Sequence, residues 1–379
     1  MGRKPVQVLE GRLSRAATVG EFFTAELIEP NGLTNISNTW PEDVDLYFEQ
    51  DTQTKTWLLS GIVTTPQMYE FDLPAVQNGK DVTLNLRLPV SPDPWSIWKD
   101  LPVDWSNLPY RKEDTDSARI DGDLTMLAAS RRGRSHAHKA LPRDDDMRIF
   151  HDTATGWHIA TVADGAGSAP YSRYGSETAV DTVITELPLL LAEHLPDATG
   201  LDDTALRNTL GTAAKRACDA VTDVAQSATA PVEDFSTTLL IGIAQQTNAG
   251  WTFASISIGD GMIGLIRGDD TPLMMSPDGG TYAGQTRFLR DDAFGEDLVA
   301  RIHQRTVPDF TAFMLMTDGV SDPMFKSDNA ATTAAAWNAM HAEIDAQDEN
   351  TLLDWLNFKV KGEHDDRTIA IMRPKDPAP

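Results

Sequence analysis

Cysteine is nearly absent. Cys218 is the single one in 379 residues, which excludes an intrachain disulfide and any cysteine-based zinc site. It falls in the helical pattern Thr-Leu-Gly-Thr-Ala-Ala-Lys-Arg-Ala-Cys, where it reads as a small packed apolar residue. Long apolar runs are also missing. No stretch reaches the ~18 continuous apolar residues of a membrane span, and the start, Met-Gly-Arg-Lys-Pro, lacks the apolar centre of a signal peptide. The cytoplasm is therefore the expected location, with no membrane partner. Positive charge is scarce too: 32 Lys and Arg stand against 57 Asp and Glu, a formal charge of −25. An acidic surface repels nucleic acid and anionic lipid, so neither is an expected partner. A metal-dependent nuclease also uses carboxylates, but the −25 charge and the lack of a basic groove make DNA a poor substrate. The acidity as such reads as a solubility feature.

What is present divides the chain. Residues 1–88 read as a small β domain: Phe22–Leu27, Val44–Phe48 and Val82–Leu86 alternate apolar with polar between Asn-Gly and Pro turns. Residues 89–125, rich in Pro and Trp and then charged, read as a connector. Its tryptophans, Trp95, Trp98 and Trp105, are expected to pack against a domain surface. From residue 126 to 374 the pattern is α+β, and the tail 375–379 is expected to be disordered. Strand-type runs sit near 147–150, 157–163, 236–244, 251–258, 262–267, 313–317 and 367–372. Two long helical patterns span 174–191, with a kink expected at Pro188, and 206–224, capped by Asp202 or Asp203. Shorter helices fit 331–346 and 351–358. Because strands and paired helices come in blocks, antiparallel sheets flanked by helices are expected.

Chemistry concentrates in aspartates. Two stretches, residues 158–167 and 311–320, each carry a short apolar β-type run that ends on Asp-Gly, at Asp164-Gly165 and Asp318-Gly319. A strand that ends at an aspartate delivers a carboxylate to a sheet edge, and the glycine lets the backbone turn close to a ligand. With Asp365 and Asp366 near the end of the chain, such deliveries can assemble an all-oxygen site of the kind that Mg²⁺ and Mn²⁺ prefer. Five Asp-Gly dipeptides occur, and any one of them is more often a turn. That bland reading is strongest at Asp260-Gly261, where the flanking apolar runs suggest a hairpin.

Several motifs recur in one order. Ser135-His136 with Pro142 and Asp144-Asp145, then Asp164-Gly165-Ala166-Gly167, Ser236-Thr237-Thr238-Leu239, Ile258-Gly259-Asp260-Gly261, Gly280–Leu289, Thr317-Asp318-Gly319, and Asp365-Asp366-x-Thr368 follow one another across residues 135–373. In types and order this series resembles the metal-dependent protein phosphatase 2C family in its bacterial form. The resemblance implies a sandwich of antiparallel sheets flanked by helices. It implies a centre of two Mn²⁺ or Mg²⁺ ions, with a weaker third. Asp164 would bridge the two while Gly165 offers its carbonyl, Asp318 and Asp365 would complete them, and Asp145 would bind near them. Asp144 would act through water, and Asp260 would serve the third ion. The implied reaction is hydrolysis of phosphoserine and phosphothreonine in proteins by direct attack of a metal-bridging water, opposite a Ser/Thr kinase. Residues 35–88 loosely resemble an immunoglobulin-like repeat, which implies a β-sandwich and a protein partner rather than chemistry.

Three departures from the family pattern leave roles open. Ala166 stands where eukaryotic members carry histidine, so the general acid is water, another group or His136, whose alternative is a structural hydrogen bond. Ala140 stands where many members carry a phosphate-gripping arginine. Lys139, Arg143 or one of Arg131, Arg132 and Arg134 could substitute, or these residues could be a solvated linker end. Asp144 replaces the usual Gln or Glu. A catalytically degenerate scaffold of the same fold, binding phosphoproteins, is the alternative these departures favour and the retained aspartates oppose. Residues 270–310 read either as a flap near the site or as a surface insertion.

Overall fold

The computed structural model describes residues 6–41, 44–195, 203–275, 286–295, 298–325, 328–344 and 348–375. The chain divides into two compact units, Met1–Lys99 and Asp100–Pro379. Among the described residues, no helix is long and apolar enough to cross a membrane.

The first unit is all β: β1 Gln7–Leu13, β2 Ala17–Thr18, β3 Phe23–Glu29, β4 Leu33–Ile36, β5 Asp45–Gln50, β6 Trp57–Ile62, β7 Met68–Gln77 and β8 Lys80–Ser91. β7 and β8 alternate buried and exposed residues along most of their length, the signature of a sheet with one covered face. They join through Asn78-Gly79, both at positive φ, as a two-residue hairpin requires. β1 runs parallel to β8 over Gln7–Gly11 and then, from Arg12, pairs antiparallel with β3, with a register shift between Arg12 and Leu13. One strand thus serves the β4-β7-β8 side and the β3-β6-β5 side, which share a core containing Phe23, Leu59, Phe71, Leu84 and Leu86.

The second unit contains β9 Thr115–Asp121, β10 Leu124–Arg131, α1 Arg134–His138, β11 Asp146–His151, β12 His158–Ala163, α2 Ser172–His194, α3 Asp203–Ser227, β13 Leu239–Thr247, β14 Gly250–Ile258, β15 Met262–Ile266, β16 Ile302–Val307, β17 Ala312–Met316, α4 Asp318–Phe325, α5 Asp328–Ala331, α6 Ala334–Ile344, α7 Glu349–Trp355 and β18 Arg367–Pro374. Two antiparallel sheets form, ordered β15-β17-β18-β10-β9 and β11-β12-β13-β14-β16. Three cores make it a four-layer sandwich. Met126, Val162, Leu240, Phe313 and Met372 fill the space between the sheets. Leu187, Leu210, Ala214 and Cys218 cover the second sheet, and Trp337, Met340 and Leu352 cover the first. β17 shows the logic: Phe313 and Leu315 enter the central core while Ala312, Met314 and Met316 meet the helices. A strand covered on both faces reads as an unbroken apolar run. Full burial of a side chain such as Phe313 contributes roughly 2–3 kcal/mol.

The expected connector, 89–125, is corrected at both ends. β8 continues to Ser91, and β9 belongs to the second unit because β10 needs a neighbour on its outer side. Between them, residues 100–114 lie on the second unit: Arg132 bonds Asp100 and the Leu101 carbonyl, and Arg173 donates to the carbonyls of Pro109 and Tyr110. Trp95, Trp98 and Trp105 are half-buried. Pro188 sits inside an uninterrupted α2. Asp203 opens α3, and Asp202 lies outside the described residues, as do residues 376–379 of the tail. The hairpin reading of Asp260-Gly261 is also corrected: β14 and β15 belong to different sheets, and this link carries the chain from one to the other.

Candidate metal centre

One edge of the sandwich collects the aspartates. Asp164 follows β12, Asp260 follows β14, Asp318 follows β17, Asp144 and Asp145 precede β11, and Asp365 and Asp366 precede β18. Carboxylate oxygens of Asp164, Asp260 and Asp318 all lie within 4.8 Å of one another. Asp145 is 1% exposed, and its Oδ2 accepts from Thr317 Oγ1 at 2.9 Å and Thr368 Oγ1 at 2.8 Å. Its carboxyl also meets that of Asp164.

The backbone is fitted just as closely. The Asp164 carbonyl accepts from Thr238 N and Thr237 Oγ1, and Asp164 N donates to Thr238 Oγ1. This is the work of the Thr-Thr pair. A side chain on Gly165 would begin 2.6 Å from the Asp144 carbonyl oxygen, and one on Gly319 would begin 1.8 Å from that of Asp366. Both Asp-Gly glycines are therefore demanded by close approach of another chain segment.

Carboxylates this close resist ionisation. Burial, then the charge of Asp366, raises Asp145 to about 7. Burial, then Asp260 and Asp145, raises Asp318 to about 8. Burial and the neighbouring Asp145 and Asp318 push Asp164 well above the carboxylate range. Burial followed by Asp366 takes Asp144 to about 6. Asp144 Oδ1 and Asp260 Oδ1 are buried without a hydrogen-bond partner. Crowded, part-orphaned oxygens of one charge fit hard divalent cations, which relieve both the repulsion and the unmet bonding.

A second group flanks the first. His136 Nδ1 lies 3.0 Å from Asp366 Oδ2, which also accepts from Asp144 N at 2.6 Å, while Asp366 Oδ1 accepts from Gly133 N at 2.6 Å. Burial opposes a charged His136, but the charge and hydrogen bond of Asp366 outweigh it and raise the imidazole to about 9. His136 Nε2 stands 3.5 Å from where a side chain on Gly167 would begin, so it faces the loop containing Ala166. Asp365 is exposed at the mouth and groups with His136 and Asp366 rather than with Asp164, Asp260 and Asp318.

Arg143 is not where a phosphate ligand would be. It is 2% exposed and spends its donors on the Glu113 carbonyl, Ser130 Oγ and the Asp145 carbonyl. A guanidinium that satisfies buried carbonyls is a structural clamp, and that corrects the expectation. Arg131, Arg132 and Arg134 likewise bond Leu353, Asp100 and the Asn357–Phe358 carbonyls. Lys139 is exposed, and its charge reaches Asp365.

Sequence reasoning gave no individual role to Thr317, Ser176 or Lys112, and it counted Asp366 only as part of the acidic constellation, not as the partner of His136. Asp366 was visible in the Asp-Asp-x-Thr motif, and Lys112 carried no signal. Of the 270–310 segment, 276–285 and 296–297 lie outside the described residues, including Gly280–Gln285 of the motif. The described part is tied to the site: Thr286 Oγ1 donates to Asp260 Oδ2 at 2.5 Å, Leu289 N to the Thr237 carbonyl, and Arg290 to Ser236 Oγ. At the far ends of β10–β12, Asp123, His151 and His158 form another cluster. There the imidazoles stack in parallel, 4.1 Å apart with 9° between planes, so their lone pairs run side by side instead of converging.

Residues 132–357 match the family model described as Protein phosphatase 2C. Similar solved structures include RsbX in complex with magnesium (14% identity, 69% of this chain and 100% of that one, TM-score 0.38). PppA, described as a key regulatory component of T6SS in Pseudomonas aeruginosa, is 17% identical over 69% of this chain and 98% of its own, with a TM-score of 0.37. The S. agalactiae serine/threonine phosphatase is 12% identical over 69% and 100%, with a TM-score of 0.39. No curated protein matches the chain.

Proposed function

The chain belongs to the protein phosphatase 2C family, and from that premise we propose that it is a metal-dependent serine/threonine phosphoprotein phosphatase. The observation that carries this reading is the meeting of Asp164, Asp260 and Asp318 within 4.8 Å, beside the buried Asp145. Divalent Mn²⁺ or Mg²⁺ would be held by Asp164, the Gly165 carbonyl, Asp318 and Asp145, with Asp365 joining from the neighbouring His136–Asp366 group, Asp144 acting through water and Asp260 serving a weaker further ion. Such ions acidify a water and neutralise phosphoryl oxygens for in-line displacement.

The chain's own residues do the rest. Thr317 and Thr368 fix one oxygen of Asp145, leaving the other for the centre. Asp366 holds His136 at Nδ1, so the proton that Nε2 can give to a leaving alkoxide faces the Ala166 loop. Lys139 supplies an exposed cation beside Asp365 to attract the phosphoester. Substrates are phosphoserine and phosphothreonine proteins, supplied by an opposing kinase, and the immunoglobulin-like reading of the first unit makes it a site for a protein partner.

The test is hydrolysis of p-nitrophenyl phosphate and a phosphothreonine peptide with Mn²⁺, Mg²⁺ or chelator, for wild type and Asp164→Asn. Metal-dependent turnover in the wild type, lost in the variant, is expected. Turnover indifferent to chelator, or surviving in the variant, refutes the assignment. A folded wild type that binds metal and hydrolyses neither substrate supports the scaffold reading instead.

A further inference from the structure

Three consecutive aspartates, 144 to 146, run into the metal centre, and they should repel one another. The third, Asp146, is neutralised from behind, on the side away from the cluster. Asp146, 2% exposed, receives Lys112 Nζ at 2.9 Å and Arg148 Nη1 at 2.7 Å. The same Lys112 Nζ donates to the Asp145 carbonyl at 3.2 Å and reaches Ser176 Oγ at 3.2 Å. Ser176 Oγ in turn donates to the Asp144 carbonyl at 2.5 Å. One ammonium therefore touches the carboxylate of Asp146, the backbone of Asp145 and the hydroxyl that holds the backbone of Asp144.

Lys112 lies outside the family match, which begins at residue 132. It is delivered by residues 100–114, whose path along the second unit is fixed at several points. Leu101 N donates to the Ala137 carbonyl and Arg132 N to that of Asp114. Tyr110 stacks on Tyr174 at 4.1 Å, and Arg143 Nε donates to the Glu113 carbonyl. A long lysine side chain, 8% exposed, pays its lost rotamer freedom into this one contact set.

We propose that Lys112 is a positioning residue of the metal centre: the 100–114 segment inserts its ammonium behind Asp144–Asp146 and so sets where Asp144 and Asp145 present their carboxylates. The proposal rests on the metal-dependent reading of the site. Partners behind metal ligands orient them and typically carry about 10- to 100-fold in metal affinity or activity.

The experiment is Mn²⁺ binding to the full chain by calorimetry, without substrate, at a temperature well below unfolding. Lys112→Met should raise the Mn²⁺ concentration for half-saturation about 10-fold or more, and Lys112→Arg, which keeps the charge, should recover part of the loss. Leu210→Ala, a core truncation in α3, should lower the unfolding temperature yet leave half-saturation at the wild-type value. That contrast separates positioning from general destabilisation. A folded Lys112→Met with wild-type half-saturation, or an equal rise in Leu210→Ala, overturns the proposal. If Lys112→Met does not fold, Asp146→Asn is read in its place: a raised half-saturation supports the proposal and an unchanged one overturns it. Hydrolysis is assayed separately, so a wild type that binds Mn²⁺ but cleaves no phosphoester refutes the phosphatase function and leaves Lys112 judged on binding.

Discussion

Stripping divalent cations from the protein at neutral pH should destabilise the second unit, and the aspartate edge sets the scale. In the metal-free state Asp145 is held at about 7, against an ordinary 3.8, by burial and the charge of Asp366. Burial among like charges favours the protonated carboxyl, so ionising it at neutral pH works against the fold. The sign follows from proton counting. Between about 4 and 8 the folded, metal-free chain holds protons on Asp145 and Asp318 that the unfolded chain has released. Stability is therefore fully present below about 4 and is lost as pH rises through 7 and then 8. Cations reverse the slope because they bind the ionised carboxylates. At 100 times its dissociation constant a ligand adds about 2.7 kcal/mol, or about 5–10 °C for a unit of this size. The assay is thermal unfolding at pH 5 and pH 7.5, with chelator and with saturating Mn²⁺. The reasoning fails if unfolding at pH 7.5 is indifferent to Mn²⁺. It fails equally if the metal-free protein gains stability between pH 5 and pH 8.

Further outcomes follow from single contacts. Gly319→Ala places a carbon 1.8 Å from the Asp366 carbonyl oxygen and should cost at least about 1–3 kcal/mol together with Mn²⁺ affinity. Gly167→Ala, which meets only His136 Nε2 at 3.5 Å, should be tolerated, and chemical denaturation of the two variants checks the contrast. Burial, then the His151 charge, lowers His158 to about 4, so its contribution is intact above about 6.5 and lost as pH falls toward 4. The loss is up to about 3 kcal/mol, and His158→Leu should remove that part of the acid dependence in matched denaturation series. Lys139→Ala should raise KM for a phosphopeptide several-fold with kcat little changed, whereas Arg143→Met should lower the unfolding temperature and leave KM alone.

The sequence was most legible where one element had one job. The strands His158–Ala163 and Ala312–Met316 are covered on both faces, so their unbroken apolar character showed in the sequence as runs near 157–163 and 313–317. β9 and β16 escaped because edge strands carry polar residues, here Thr-Asp-Ser-Ala-Arg-Ile-Asp and Ile-His-Gln-Arg-Thr-Val. β10 escaped because Met and Ala make a poor β signal, although its packing between two strands fixes it. Asp164, Asp260 and Asp318 could be named from their motifs, yet their meeting depends on strands far apart in sequence. Arg143 was misjudged because sequence proximity to a motif does not say which way a guanidinium turns. Lys112 was invisible for the same reason: its partners lie 33 or more residues away.

The Asp260-Gly261 crossing has a mechanical consequence. Asp164 and Asp145 are anchored in the β11–β16 sheet, Asp318 and Asp365 in the β15–β18 sheet, and Asp260 on the only turn that steps directly from β14 to β15. Cations bound on the proposed reading would act as a rivet through the seam. Sliding one sheet over the other at that rim, which already strains the hydrogen bonds from Thr317 and Thr368 to Asp145, would then also require breaking coordinate bonds. The loaded protein should thus behave as a single stiff plate at that rim and remain compliant at the opposite end, where the stacked histidines lie.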